Sequence, residues 1–134
     1  MRIFVPKETY RGEHRIPLIP QNVKKLVGLG AEIVIEPGMG LNARYEDTAY
    51  TEAGATVNSD RASMLAQADM VLRLRKPSIK EVKKLKADSI HVSFLDPFNE
   101  AELIQAFIDQ KVNAISMEMI PRTTLAQKMD ALSS

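Results

Sequence analysis

There is no cysteine among the 134 residues. That excludes disulfides and thiolate metal sites, and it suits a reducing compartment. Neither sign of charge is in excess: 18 Lys and Arg stand against 17 Asp and Glu. A nucleic-acid partner, which needs concentrated positive charge to hold phosphates, is therefore not expected. The lysines between Lys76 and Lys86 are interrupted by Glu81 and by apolar residues, and we read them as a solvated helix face. Apolar runs of about 18 residues are missing, as is a signal-peptide pattern, so the expectation is a cytoplasmic domain that does not itself enter a membrane. Histidine is scarce, His14 and His91 only, and no metal site is expected. Repeats, linkers and low-complexity tracts are also lacking, and the length suits a single domain over residues 1–134 with an ordinary core.

What is present alternates. β-rich runs at 2–5, 31–36, 55–57, 70–74, 90–95 and 113–117 are separated by helical patterns at 20–29, 46–53, 61–67, from Ser78 onward, and at 100–110. Pro6, Pro37 and Pro77 punctuate strand ends, and Gly28 and Gly30 close the first helix. Asp60 or Ser59 is placed to cap the third helix, and Ser78-Ile79-Lys80-Glu81 has the capping-box spacing. Ile79, Val82 and Leu85 form one expected buried stripe; Leu103, Ile104, Phe107 and Ile108 form another. Strands and helices joined by short connections predict an α/β domain: a three-layer, mostly parallel sheet with helices on both faces, flavodoxin-like and Rossmann-related.

Three stretches carry candidate chemistry. Gly38-Met39-Gly40-Leu41-Asn42-Ala43 is formally GxGxxA, with Asp60 about twenty residues on, as in a dinucleotide fingerprint. Against it, Pro37 intervenes after the strand, and the helix entry falls at Arg44-Tyr45-Glu46-Asp47 rather than at Gly40. Such a loop lacks the helix dipole and amides that hold a pyrophosphate. Arg15 and Arg75 lie at strand ends or in adjoining loops, where two guanidiniums can clamp a carboxylate or phosphate; plain surface arginines are the competing reading. After Pro121 the chain gathers Arg122, Gln127, Asp130, Thr123, Thr124, Ser133 and Ser134. With helix from near Thr124, Gln127 and Asp130 share a face with Ser133 or Ser134, while Leu125, Met129 and Leu132 point elsewhere. Spacing alone fits equally well a capped amphipathic helix, with Thr123 or Thr124 as N-cap and Gln127 completing a capping box.

The string IPRTTLAQKMDALSS resembles the loop and helix of the NAD-binding subunit of proton-translocating nicotinamide nucleotide transhydrogenase. VPKE at Val5 to Glu8, RGEHRIPLIP at Arg11 to Pro20 and EPGMG at Glu36 to Gly40 are similar to the N-terminal signature shared by transhydrogenase and alanine dehydrogenase. The resemblance spans residues 1–134. It implies that Arg122, Gln127 and Asp130 act at the nicotinamide and that these three, with Ser133, bind NAD(H). NADP(H) would sit on a partner domain, and hydride transfer would be coupled to proton movement through a separate membrane domain. The implied partners are a Rossmann NAD-binding domain absent from these residues, the membrane and NADP-binding domains, and a second copy in a homodimer. The complex would sit on the cytoplasmic side of the inner membrane, and the chain alone would be inactive. In alanine dehydrogenase the positions resembling Arg15 and Arg75 hold an Arg and a Lys that bind the substrate carboxylate, and the catalytic His falls where this chain has Asp96. Aspartate, with a reference pKa near about 4, is a poor proton donor at neutral pH, which favours the transhydrogenase side. The alternatives are an alanine dehydrogenase-like oxidoreductase domain and a non-catalytic dimerisation or regulatory module.

Overall fold

The computed structural model describes residues 1–119. Six strands are interleaved with five helices: β1 (Arg2–Val5), α1 (Pro20–Gly28), β2 (Glu32–Ile35), α2 (Asp47–Glu52), β3 (Thr56–Val57), α3 (Arg61–Gln67), β4 (Met70–Arg75), α4 (Ile79–Val82), β5 (Ile90–Phe94), α5 (Ala101–Gln110) and β6 (Asn113–Ser116). Single 3-10 turns add Leu41–Ala43 and Met117–Met119. The strands form one sheet in the order β3-β2-β1-β4-β5-β6, and every pairing is parallel. The expected parallel α/β sheet is thus present, and within the doubly wound class the order is that of dinucleotide-binding sheets.

Alternation along the central strands divides the core in two. Ile3 and Val5 of β1, with Ile33 and Ile35 of β2, pack against Val23 of α1 and Tyr50 of α2. Phe4 and Val34, which point the other way, pack with Met64 and Leu65 of α3, Val82 of α4, and Leu103 and Phe107 of α5. Successive residues of a strand face opposite sides, so a strand clothed in helices on both faces must be apolar at every position. RIFV and EIVI are so beyond their first residues. Each fully buried side chain of this size contributes roughly 1.5–3 kcal/mol.

The helix ends follow local chemistry. Asp60 accepts from the Ser63 amide at 3.1 Å, and Ser78 and Glu81 close a reciprocal capping box on α4. Lys111 ends α5 with φ +60°, a left-handed cap taken without glycine. Two positions expected in buried stripes are instead exposed. Ile79 is 36% exposed because α4 is one turn long, so its stripe reduces to Val82, with Leu85 beyond the helix. Ile108 is 62% exposed because α5 lies beside the last strand; with Phe98 and Ile115 it lines an apolar groove on the outer flank of β6. Among the described residues no helix is long and apolar enough to cross a membrane, and no cluster of acidic or imidazole side chains has metal-binding geometry.

Candidate functional site

In this strand order β1 and β4 are neighbours whose following helices leave to opposite faces, and open parallel sheets place ligands at the carboxyl ends of such a pair. β1 and β4 pair only through Ile3 with Met70 and Phe4 with Val71, after which they part. Glu8, three residues past β1, enters the gap. It is 5% exposed, and its carboxylate accepts from the amides of Leu74 and Arg75. Those amides lie where β4 slips register against β5, between Leu72 and Arg75. The crevice that commonly seats a phosphate is therefore filled by the protein's own carboxylate, and Arg75 is fixed at the backbone.

Glu13, later in the same loop, performs a second tie. Its buried carboxylate accepts from Arg15 Nη2 at 3.0 Å, Arg15 Nε at 3.1 Å and the Arg15 amide at 3.0 Å, and from Arg75 Nε at 2.9 Å. Its own carbonyl receives Asn42 Nδ2 at 3.0 Å, joining the loop to the 3-10 turn. The Arg15 guanidinium, aided by the Arg15 amide and by Arg75, outweighs burial and holds the Glu13 carboxyl down at about 2; Glu13 in turn raises Arg15. Arg75 lies over the Tyr10 ring at 4.0 Å, and Arg15 lies 5.7 Å from the centre of Phe94.

These side chains form one wall of an open cleft of about 680 Å³ at the carboxyl ends of the strands. Asp96, following β5, and Glu118, following β6, line the same cleft. Asp96 adopts φ +51°, a left-handed conformation held by its amide donating to Glu118 Oε1 at 2.7 Å and its Oδ1 accepting from Asn99 at 3.0 Å. Lys76 is paired with Glu100. The cleft is thus polarised, guanidiniums on one side and carboxylates on the other.

A second arginine and glutamate assembly stands behind it. Arg61 donates to Glu36 at 2.8 Å, to Glu81 at 2.8 and 3.0 Å and to the Lys7 carbonyl at 3.2 Å. Glu81 also meets Arg73 at 3.3 Å. Burial pushes the Glu81 carboxyl up, but Arg73 and Arg61 outweigh it and leave it below its ordinary value. His91 lies in the core, 1% exposed, with Nε2 on Ser93 Oγ at 2.9 Å and its ring 5.0 Å from that of Phe107. Burial, with Arg73 adding to it, lowers its pKa to about 3, so the imidazole is neutral and structural.

The expected site residues divide accordingly. Arg15 and Arg75, far apart in the chain, are brought together on Glu13. Arg122, Gln127, Asp130 and Ser133 lie outside the described residues. The glycine segment has no fingerprint geometry: Leu41–Ala43 is a 3-10 turn, and a Cβ on Gly40 would lie 2.4 Å from the Tyr50 ring. Glycine there lets Tyr50 pack and reach the Leu18 carbonyl with its hydroxyl at 2.8 Å. The residues present do not fit a pyrophosphate at this loop. Glu8, Glu13, Tyr10 and Glu118 do not stand out as site residues in the sequence. The signal for the first three is their place inside and beside the VPKE and RGEHR strings.

A doubly wound domain with a polar cleft at its switch point describes many proteins; likeness to known proteins narrows it. The family model of the alanine dehydrogenase/PNT N-terminal domain matches residues 4–134, and the chain belongs to that family. It is 40% identical over 139 residues to the first of the polypeptides that make up the NAD(P) transhydrogenase alpha subunit of Rhodospirillum rubrum, covering all of this chain and 36% of that protein. It is 38% identical over 120 residues to the alanine dehydrogenase of Staphylococcus epidermidis, covering 90% of this chain and 32% of that one. Among solved structures, the transhydrogenase from Sinorhizobium meliloti superimposes with a TM-score of 0.86 at 35% identity, over 98% of this chain and 38% of that one. An L-alanine dehydrogenase superimposes with a TM-score of 0.80 at 29% identity, over 87% and 32%. The resemblance read from the motifs to the N-terminal domain of the transhydrogenase alpha subunit is thereby borne out. The chain spans about a third of the length of the relatives it matches, so they carry further domains, and their oxidoreductase chemistry implies a nicotinamide nucleotide.

Proposed function

We propose that this domain is the N-terminal part of the NAD(H)-binding component of a proton-translocating NAD(P) transhydrogenase, with its Rossmann, membrane and NADP-binding parts lying elsewhere in the complex. The observation that carries this reading is the cleft's complement of groups. Asp96 stands where the dehydrogenase relatives need their catalytic histidine, and it is held by Asn99 and by Glu118. His91 is sealed in the core, and His14 is exposed outside the cleft. Among the described residues the cleft therefore offers no imidazole to exchange protons with a keto or amino acid. Direct hydride transfer between two nicotinamides requires none. It is a problem of positioning, solved by holding the rings roughly 3–3.5 Å apart.

The nucleotide, when bound, supplies the hydride. The chain's part is to orient it: Arg122 and Gln127 at the ring and carboxamide, Asp130 and Ser133 at the amide or ribose. Arg15 and Arg75 form the anion-binding side of the cleft. The pyrophosphate and adenosine would be held by a separate Rossmann domain, because the glycine turn at Gly38 to Gly40 does not fit them. A fusion of this chain to the remainder of the Rhodospirillum rubrum subunit tests the reading. It should bind NADH and, with its partner subunits, reduce NADP+, and Arg122→Ala should weaken NADH binding by about tenfold or more. The 134 residues alone should show no turnover. Oxidation of NADH dependent on pyruvate and ammonium would replace this reading with the dehydrogenase one, a reading the paired arginines favour. A folded fusion that binds no nucleotide would leave a dimerisation or regulatory module.

A further inference from the structure

Two guanidiniums close enough to share a carboxylate present two positive charges, a field that suits a doubly charged oxyanion as readily as a single carboxylate. Glu13 alters that balance from behind. It is 6% exposed and accepts from both arginines, so its negative charge cannot be diluted by water or turned away. The arginines are not exhausted by it. Arg75 donates to Glu13 through Nε alone, and among the described residues its two terminal nitrogens have no acceptor; Arg15 uses Nε and Nη2, leaving Nη1. Tyr10 beneath Arg75 limits how the group can tilt. Facing them, Asp96 and Glu118 line the same cleft, while the charge of Lys76 is matched by Glu100.

We infer that Glu13 is the specificity-determining residue of this cleft: by reducing the Arg15 and Arg75 pair to the charge of a single cation, it admits a singly charged anion of the carboxylate class and rejects dianions of the sulfate and phosphate class. The inference rests on the cleft's being an anion site. A dianion entering it meets one uncompensated positive charge and the carboxylates of Asp96 and Glu118; a carboxylate meets the same cation and brings half the charge toward the acidic wall. Unlike charges attract and like charges repel with comparable strength at these separations, so the second negative charge of a dianion gains less than it loses.

The 134-residue chain, labelled with nitrogen-15, can be titrated with sodium acetate and with sodium sulfate at fixed ionic strength, following the Nε–H resonances of Arg15 and Arg75. Acetate should shift both and saturate, with sulfate at least about tenfold weaker. Glu13→Gln, which keeps shape and one acceptor, should raise sulfate affinity by about tenfold and invert the preference. Arg15→Gln removes a largely exposed side chain and leaves Arg75 cancelled by Glu13. Acetate binding should then be lost, and retention there would overturn the inference even if Glu13→Gln does not fold. Sulfate binding as tightly as acetate in the unaltered chain would overturn it too, as would a folded Glu13→Gln chain with its preference unchanged. Binding of neither anion would remove the anion site itself, and this inference with it.

Discussion

Glu13 and Glu81 have the same arrangement in outline, each a carboxylate shared by two arginines near the carboxyl ends of the strands, and they serve different ends. Around Glu81 the donors are used up. Arg61 spends all three of its nitrogens on Glu36, Glu81 and the Lys7 carbonyl, and its side chain is 23% exposed. Around Glu13 donors are left over, Arg15 and Arg75 are 63% and 40% exposed at the side chain, and they face an open cleft. A saturated arginine is a brace that joins β2, α3 and α4. One held by its Nε edge with its terminal nitrogens unspent is a receptor waiting for an acceptor. Counting unspent donors separates the two classes where charge alone does not.

The contrast predicts a graded response to mutation. Glu81→Ala should cost most, about 3 kcal/mol or more in urea denaturation. It removes the capping box and leaves Arg73, whose side chain is 6% exposed, without its carboxylate; a loss under about 1 kcal/mol would deny the bracing role. Acid should separate the two centres next. His91, beside Arg73, has a folded pKa lowered from 6.5 to about 3, so the unfolded chain takes up its proton first and stability falls as pH drops from about 6.5 toward 3. The slope reaches up to about 1.4 kcal/mol per pH unit. Glu13, lowered from 4.5 to about 2, contributes stability above about 4.5 that is lost only below it. Denaturation midpoints between pH 6.5 and 4.5 should therefore flatten in His91→Gln and keep their slope in Glu13→Gln; a reversed result would exchange the two assignments. The smallest effect belongs to Arg75→Ala, a half-exposed ion pair. Stability should change by no more than about 0.5–1 kcal/mol while the acetate response disappears.

Much of this is legible in the sequence because it is local. The Ser78 and Glu81 capping box, the Asp60 cap and the six strands rest on spacing, and the structure reproduces them. The approach of Arg15 to Arg75 is not local: it depends on β1 and β4 being neighbours, which no window of residues records. Ile79 and Ile108 have the right period and the wrong surroundings, one on a single-turn helix and the other beyond the last strand. The loop KETYRGEHR reads as solvated because it is charged, yet Glu8 and Glu13 are among the buried polar residues. A charged side chain is buried when donors await it, and here those donors are the β4 amides and two arginines from elsewhere in the chain.

The bond from Glu8 to the Leu74 amide joins residues 66 apart in sequence. Ordering the loop after β1 therefore means closing a long length of chain, an entropic cost met only once β4 has been laid against β1. The first strand made is flanked by strands that come later, and the cleft at its end is among the last parts of the sheet to take shape. A nascent chain that has not yet reached β4 can form α1 and pair β1 with β2, but it has no receptor. Competence to bind thus arrives with completion of the sheet, and a half-made domain offers nothing for a ligand to hold.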